Sequence, residues 1–211
     1  MAKFGVAVGM FGVHHYYGGD ARGYLDAAKL ADAAGIDQVV FTDHVVMGEH
    51  TERYPYGPFP LPPSAPWFEP LTLLAAIAAV TTRIELATGI LIAPLRPAAV
   101  LAKMLATLDT LAPGRLQIGV GTGWQREEFD AVGLDFDKAW TLLDDGVRAM
   151  KVLWREAPAS FASATVNLDR VYSTPFPRDG AIPLWYGVKP TPRQAQRIAE
   201  LGAGWIPIST D

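Results

Sequence analysis

The chain of 211 residues contains no cysteine, which excludes disulfides, zinc ribbons and cysteine nucleophiles. It also lacks a basic excess. Its 18 Lys and Arg face 22 Asp and Glu, for a net charge of −4 and a pI of about 5.5. Nucleic-acid binding normally needs the opposite balance, so no such partner is expected. Long apolar runs are missing as well: the longest, LTLLAAIAAV at 71–80, is too short to span a bilayer. The opening MAKFGVAVGMFGVHH has one lysine, a broken apolar stretch and no small-residue cleavage pattern, so no signal peptide is expected. Half of the residues are apolar and 19% are charged, which suits a globular chain with a real core. A soluble cytoplasmic protein is the expectation.

What is present is alternation between β-type runs and helical segments, the pattern of βα units on a parallel sheet. Strands are expected at Phe4–Gly9, Gln38–Thr42, Ile84–Ile92, Arg115–Val120, Pro183–Gly187 and Gly204–Ser209. The first helix runs from a cap near Asp20 through Leu25, Ala28, Ala31 and Ala34 to a stop at Gly35. Others are expected over 71–82 and Pro97–Leu111, the latter ended by Pro113-Gly114. Trp140, Leu143, Val147, Met150 and Trp154 share one helix face and read as core-facing; Asp144, Asp145, Arg148 and Lys151 lie largely off it. The last helix is capped by Thr191, begins at Pro192, completes a capping box with Gln194 and ends at Gly202.

Two insertions break the rhythm within a single domain spanning 1–211. Residues 45–66 carry Pro55, Pro58, Pro60, Pro62, Pro63 and Pro66 among Tyr54, Tyr56 and Phe59. Residues 156–181 show alternation at Ser160–Val166 that suggests a small hairpin. Loops this long in a compact domain are usually functional or disordered. The aromatics in the first favour a packed lid over a linker. Two architectures suit such a chain, the (β/α)8 barrel and the doubly wound open sheet. A complete barrel takes about 250 residues, so the pattern leaves the two close to even.

Four segments together resemble the bacterial luciferase-like family of flavin and deazaflavin oxidoreductases, above all its coenzyme F420-dependent branch. They are VVFTDHVVMG at 39–48, FEPLTLLAAIAAVTTRIELATGILIAP at 68–94, LRPAAVLAKMLATLDTLAPGRLQIGVGTGWQREEFDAVGLDF at 95–136 and IPLWYGVKPTPRQAQRIAELGAGWIPI at 182–208. The resemblance implies a (β/α)8 TIM-barrel-type α/β fold. Family members continue with two more βα units where this sequence stops. An incomplete barrel is therefore expected, from a truncated product, a barrel closed by a partner chain, or a reduced relative. Open edges at the first and sixth strands would need cover, so a homodimer is expected.

In a barrel, chemistry sits at the C-terminal strand ends. These are Gly9-Met10, Asp43-His44, Gly89 to Pro94, Gly121-Thr122-Gly123-Trp124 and Gly187-Val188-Lys189. Glycine lets backbone approach a flat ligand or a phosphate. Histidine exchanges a proton near neutral pH, and a carboxylate can orient it. Asp43 and His44 are therefore the catalytic candidates, although neighbours on one strand point to opposite faces. The resemblance implies that His44 lies against the ring's reactive face and helps to accept a substrate hydroxyl proton. Asp43 would contact the cofactor or support His44. It further implies a cis peptide at Gly89-Ile90, next to Thr88, backing the ring.

GVGTGW at 119–124 has the wrong spacing for a dinucleotide fingerprint but suits a turn beside a ligand, through Gly121, Thr122, Gly123 and Trp124. Deazaflavin members often have polar residues just after this turn. Trp124 and Glu127 stand there instead, which keeps FMN open as the alternative to F420. Gly187, Val188 and Thr191 precede a helix N-terminus, with Lys189 and Arg193 adding charge. This suits an anion site and a plain capped helix about equally. His14, His15 and His50 have no partners at ligand spacing, so no metal is expected. A G-x-S-x-G elbow is missing. Glu127-Glu128 would not converge on a helix, and a solvated face is expected for them.

The function expected is hydride transfer between F420 and a small organic substrate. An FMN-dependent monooxygenase is the close alternative. A non-catalytic flavin-binding protein and an inactive fragment are the readings outside enzymology.

Overall fold

A computed structural model describes residues 5–207. In chain order its elements begin with β1 (Ala7–Gly9), α1 (Gly23–Ala33), β2 (Gln38–Phe41), α2 (Pro70–Ala78), β3 (Glu85–Ile92), α3 (Ala98–Leu111) and β4 (Leu116–Gly121). They continue with α4 (Arg126–Ala131), α5 (Ala139–Leu153), β5 (Ala159–Ala162), β6 (Asn167–Val171), β7 (Leu184–Val188), α6 (Pro192–Leu201) and β8 (Gly204–Pro207). Phe4 and Ser209, the expected outer limits of the first and last strands, lie outside the described residues.

The main sheet is parallel, and each strand adds beside the one before it, in the order β1-β2-β3-β4-β7-β8. A doubly wound sheet would reverse its strand order at a switch point; this one does not. It is also curled. Two strands apart in a flat sheet means about 10 Å, yet the Ile90 side chain of β3 sits directly over Gly187 of β7, across β4. That face is concave. The result is an α/β half-barrel arc with its helices outside.

The outer layer is built as the periodicity predicts. Leu143, Val147, Met150 and Trp154 are buried in one core with Leu74 and Ile77 of α2 and Leu101 and Leu105 of α3. Trp154 donates its indole N–H to the Ala102 carbonyl at 3.0 Å. Trp140, at the end of the stripe, is only half-buried and lies under the Arg197 guanidinium at 4.4 Å. Arg197 in turn holds Asp144 through two hydrogen bonds of 2.7 and 2.9 Å.

Helix ends follow local chemistry. At α2 the Glu69 carboxylate accepts from the Thr72 N–H at 2.6 Å with proline in the first turn. α2 stops at Ala78, short of the expected residue 82. The Thr81 hydroxyl bonds back to the Ile77 carbonyl, and the N–H groups of Thr82 and Ile84 go to the Asp32 carboxylate on α1. Those bonds replace a further helical turn. α6 keeps its expected cap, with the Thr191 hydroxyl accepting from Gln194 N–H at 3.2 Å.

The expected hairpin is wider than Ser160–Val166, pairing β5 with β6 around a turn where Ser163 N–H donates to the Val166 carbonyl. It packs outside the sheet. Its Thr165 is held by the buried Asp145 carboxylate of α5, through N–H at 3.2 Å and hydroxyl at 2.8 Å. Residues 45–66 instead lie over the strand tips. Among the described residues no helix is long and apolar enough to cross a membrane.

Candidate active site

The tips of β2, β3, β4 and β7 and the 45–66 loop enclose a cavity of about 480 Å³, within the range of small-molecule sites. Its floor is made by β3. The Gly89–Ile90 peptide is cis, as the resemblance implies, and β3 shifts register against β4 between Thr88 and Leu91. Ile90 thereby rises over two neighbouring strands. A Cβ on Gly187 would overlap it, and a Cβ on Gly121 would come within 3.0 Å. The space these two glycines provide is taken first by Ile90, rather than directly by a ligand. Gly123 turns the chain with φ +69°, where a side chain is disfavoured, and leads to Trp124.

The walls are aromatic. Trp124 packs against Tyr54 (ring centroids 5.3 Å) and Phe59 (5.5 Å), and Tyr54 against Tyr56 (5.3 Å). Trp67 and Phe11 close another side, 5.1 Å apart. The proline-rich loop is thus the packed lid its aromatics suggest. At its tip, the Lys189 ammonium sits 5.3 Å from the Tyr56 ring. Burial pushes the Tyr54 and Tyr56 hydroxyls up, keeping both phenols protonated.

His44 lines this cavity with its ring edge-on to Trp67 (4.5 Å), Phe59 (6.0 Å) and Trp124 (6.2 Å). Its Nδ1 lies 3.2 Å from Glu128 Oε2. The other Glu128 oxygen accepts the Val45 N–H at 2.9 Å. Gln125, the extended residue just before α4, accepts the Gly48 N–H at 2.9 Å and places its amide nitrogen 3.4 Å from both His44 Nδ1 and Glu128 Oε2. The expected solvated face for Glu127-Glu128 is therefore corrected. Glu128 is fully buried, while Glu127 is partly exposed and faces Arg53 at 3.6 Å. The pair that works together is Gln125, the extended residue at the start of α4, and Glu128 in the helix's first turn.

Asp43 has the opposite fate to His44, although both lie just past the end of β2. It reaches the cavity wall, but its carboxylate is fully covered. It accepts from Ile92 N–H at 2.9 Å and takes both Arg96 guanidinium nitrogens at 2.7 and 3.0 Å. Arg96 also binds Glu69 at 2.9 Å. Among the described residues Asp43 makes no hydrogen bond to the His44 ring; the ring's carboxylate partner is Glu128.

Gly89, Ile90, Gly121, Thr122, Gly123, Trp124 and Gly187 all line the cavity. Three other expected contacts are placed elsewhere. Thr88 is buried in the sheet and donates its hydroxyl to the Gly119 carbonyl at 2.7 Å. Val188 is buried, and its carbonyl accepts from Trp205 at 2.8 Å. Thr191 is exposed and spends its hydroxyl on the helix cap. Trp67, Arg96, Gln125 and Glu128 are the residues that the sequence reading missed. His14 is buried beside Tyr24, 2.8 Å away, and burial followed by the neighbouring His15 lowers its basicity.

The family model for luciferase-like monooxygenases matches residues 2–211. An F420-dependent glucose-6-phosphate dehydrogenase of Kineococcus radiotolerans is 36% identical over 156 residues, covering 71% of this chain and 42% of that protein. The pyrimidine monooxygenase RutA of Allorhizobium ampelinum is 33% identical over 148 residues, covering 66% of this chain and 40% of its own length. The crystal structure of monooxygenase RslO1 from Streptomyces bottropensis superposes with a TM-score of 0.78 at 26% identity, covering 96% of this chain and 59% of that one. The chain spans about half the length of the curated relatives it matches.

Proposed function

Since the chain belongs to the luciferase-like monooxygenase family, whose members here include oxidoreductases and monooxygenases, we propose that it is an oxidoreductase. It binds coenzyme F420 and exchanges hydride with a small organic substrate. The observation that carries this reading is His44. Its Nδ1 is engaged by a buried carboxylate, it lines the cavity beside the Gly89–Ile90 floor, and Nε2 has no hydrogen-bond partner among the described residues.

The residues present fit a flat tricyclic ring. Ile90, between Gly121 and Gly187, offers an apolar bed; Trp124, Trp67 and Phe59 offer walls. Gly89, Ile90, Gly121, Gly123 and Trp124 would hold the ring. The bound cofactor supplies a carbon centre that takes up or returns hydride. His44 Nε2 accepts the proton of a substrate hydroxyl, or returns it in the reverse direction. The aromatic lid keeps water from the reacting groups.

An FMN-dependent monooxygenase is the second reading. Trp124 favours it, because an aromatic residue stands just after the β4 turn where deazaflavin members often have polar ones. For the architecture, the sheet is read as six strands of an incomplete (β/α)8 barrel, its β1 and β8 edges covered in a homodimer. A monodisperse monomer in light scattering would count against the dimer.

Purified protein titrated separately with F420 and FMN, followed by cofactor fluorescence and mass spectrometry, tests the assignment. F420 binding with substrate-dependent loss of absorbance at 420 nm is expected. His44→Ala should keep the cofactor and lose about 10²–10⁴-fold in turnover. FMN binding with oxygen consumption would select the second reading. Binding without turnover would indicate a flavin carrier, and binding of neither cofactor would refute the enzyme assignment.

A further inference from the structure

Glu128 is a carboxylate with no solvent exposure and no lysine or arginine among its hydrogen-bonding partners. Such a group must be satisfied by donors around it. Oε1 has one good donor, the Val45 N–H at 2.9 Å. Oε2 has two neighbours, His44 Nδ1 at 3.2 Å and the Gln125 amide nitrogen at 3.4 Å. The Gln125 amide cannot be turned round without losing the Gly48 N–H that its oxygen accepts. Its NH2 therefore faces Nδ1 and Oε2 together.

Two hydrogen placements compete here. With hydrogen on Nδ1 and Glu128 ionised, the imidazole donates to a carboxylate, a charge-assisted bond, and the Gln125 amide gives its hydrogen to Oε2 alone. With hydrogen on Nε2, the Nδ1 lone pair confronts the carboxylate oxygen at 3.2 Å, and Oε2 keeps only the longer amide contact. In a buried setting the second arrangement leaves a charged acceptor undersupplied, which is costly. We propose that Glu128 is the positioning residue of this site: by accepting the Nδ1 hydrogen of His44, it fixes the imidazole tautomer that leaves the Nε2 lone pair free to take a proton.

The same carboxylate also holds the first peptide after His44, through Val45. Tautomer and ring direction are thus set from one helical residue, on the element that follows β4. Asp43, adjacent in sequence, cannot do this, because Arg96 and the Ile92 N–H occupy its oxygens. The catalytic meaning of this placement rests on the proton-transfer role proposed for His44. The placement itself does not, so the two can fail separately.

The test is long-range 1H–15N NMR on histidine-labelled protein without added cofactor, at alkaline pH. The chain has four histidines, and His44→Asn identifies the relevant signals by their loss. In the native protein His44 should show a protonated Nδ1 and a lone-pair Nε2. Glu128→Ala should move it to the Nε2–H form that a free imidazole prefers, whereas Glu127→Gln should leave it unchanged. With the cofactor assigned above, Glu128→Ala should lower kcat about 10²-fold, in the range of a lost general base, with the cofactor Kd changed less than about 3-fold. An Nε2–H tautomer in the native protein overturns the proposal without recourse to any variant. An unchanged tautomer in Glu128→Ala overturns it too. The predicted tautomer combined with an undiminished kcat would instead refute the proton-transfer role of His44.

Discussion

The two insertions, 45–66 and 156–181, are similar in length and both lack helical periodicity, yet they do different work. The first lies over the strand tips and is closed at its base by one side chain. Arg96 binds Asp43 just before the loop and Glu69 just after it. The second folds as a hairpin on the outside and is tied down by carboxylates of the helix layer. Asp145 holds Thr165, and Asp109 holds the Arg178 N–H at 2.7 Å. Loop length does not separate these cases, and six prolines against three do not say where either loop goes. The anchors do: a cation shared by both ends, reached from the end of β3, builds a lid, while carboxylates on outer helices fasten a buttress.

The comparison can be broken most sharply at Arg96. Arg96→Met leaves Asp43 buried without its cation, which should cost about 3–5 kcal/mol of stability in urea unfolding and weaken cofactor binding with it. Retained stability would mean that the lid is not closed in this way. Asp145→Ala removes both Thr165 bonds and should cost about 1–3 kcal/mol while leaving cofactor affinity unchanged. A change in affinity would show that the hairpin is not separate from the site.

A smaller effect is expected in acid. Burial alone would raise the Glu69 carboxyl, but Thr72 and the Arg96 guanidinium outweigh it and hold the group below its ordinary value of 4.5. The stabilisation is therefore complete above that value and is lost as pH falls through the lowered one. Because Glu69 is partly exposed, solvent screens the contribution. Glu69→Gln should flatten the acid limb of a pH–stability curve, and an unaltered limb would remove Glu69 from the clamp. The smallest effect is at the lid tip. Lys189→Ala removes a cation–π contact of about 0.5–1 kcal/mol and should speed cofactor release by about 2- to 5-fold in stopped-flow measurements.

The sheet was legible because each strand is short, apolar and punctuated by glycine or proline, and because the Thr191-Pro192-Gln194 cap announces its helix. The end of α2 was not, since Asp32 supplies the competing bonds from 50 residues away. His44 was visible as a strand-end histidine. Its partner was hidden, because α4 has only six residues and shows no apolar stripe. Only Glu128 of the glutamate pair turns inward, beside Gln125 at the helix start, while the adjacent Glu127 points to an exposed arginine. Arg96 escaped notice because a lone arginine after a proline resembles any surface cation until the fold brings two distant carboxylates to it.

The bulge at Ile90 makes three separate strands answer to a single side chain. Enlarging Gly121 or Gly187 would evict it, and trimming it would open a void beneath the cavity. Positions 90, 121 and 187 therefore form one heritable unit. Drift at any of them should be tolerated only with a compensating change at another, and a library that varies all three together should yield folded survivors that single-site scanning would miss.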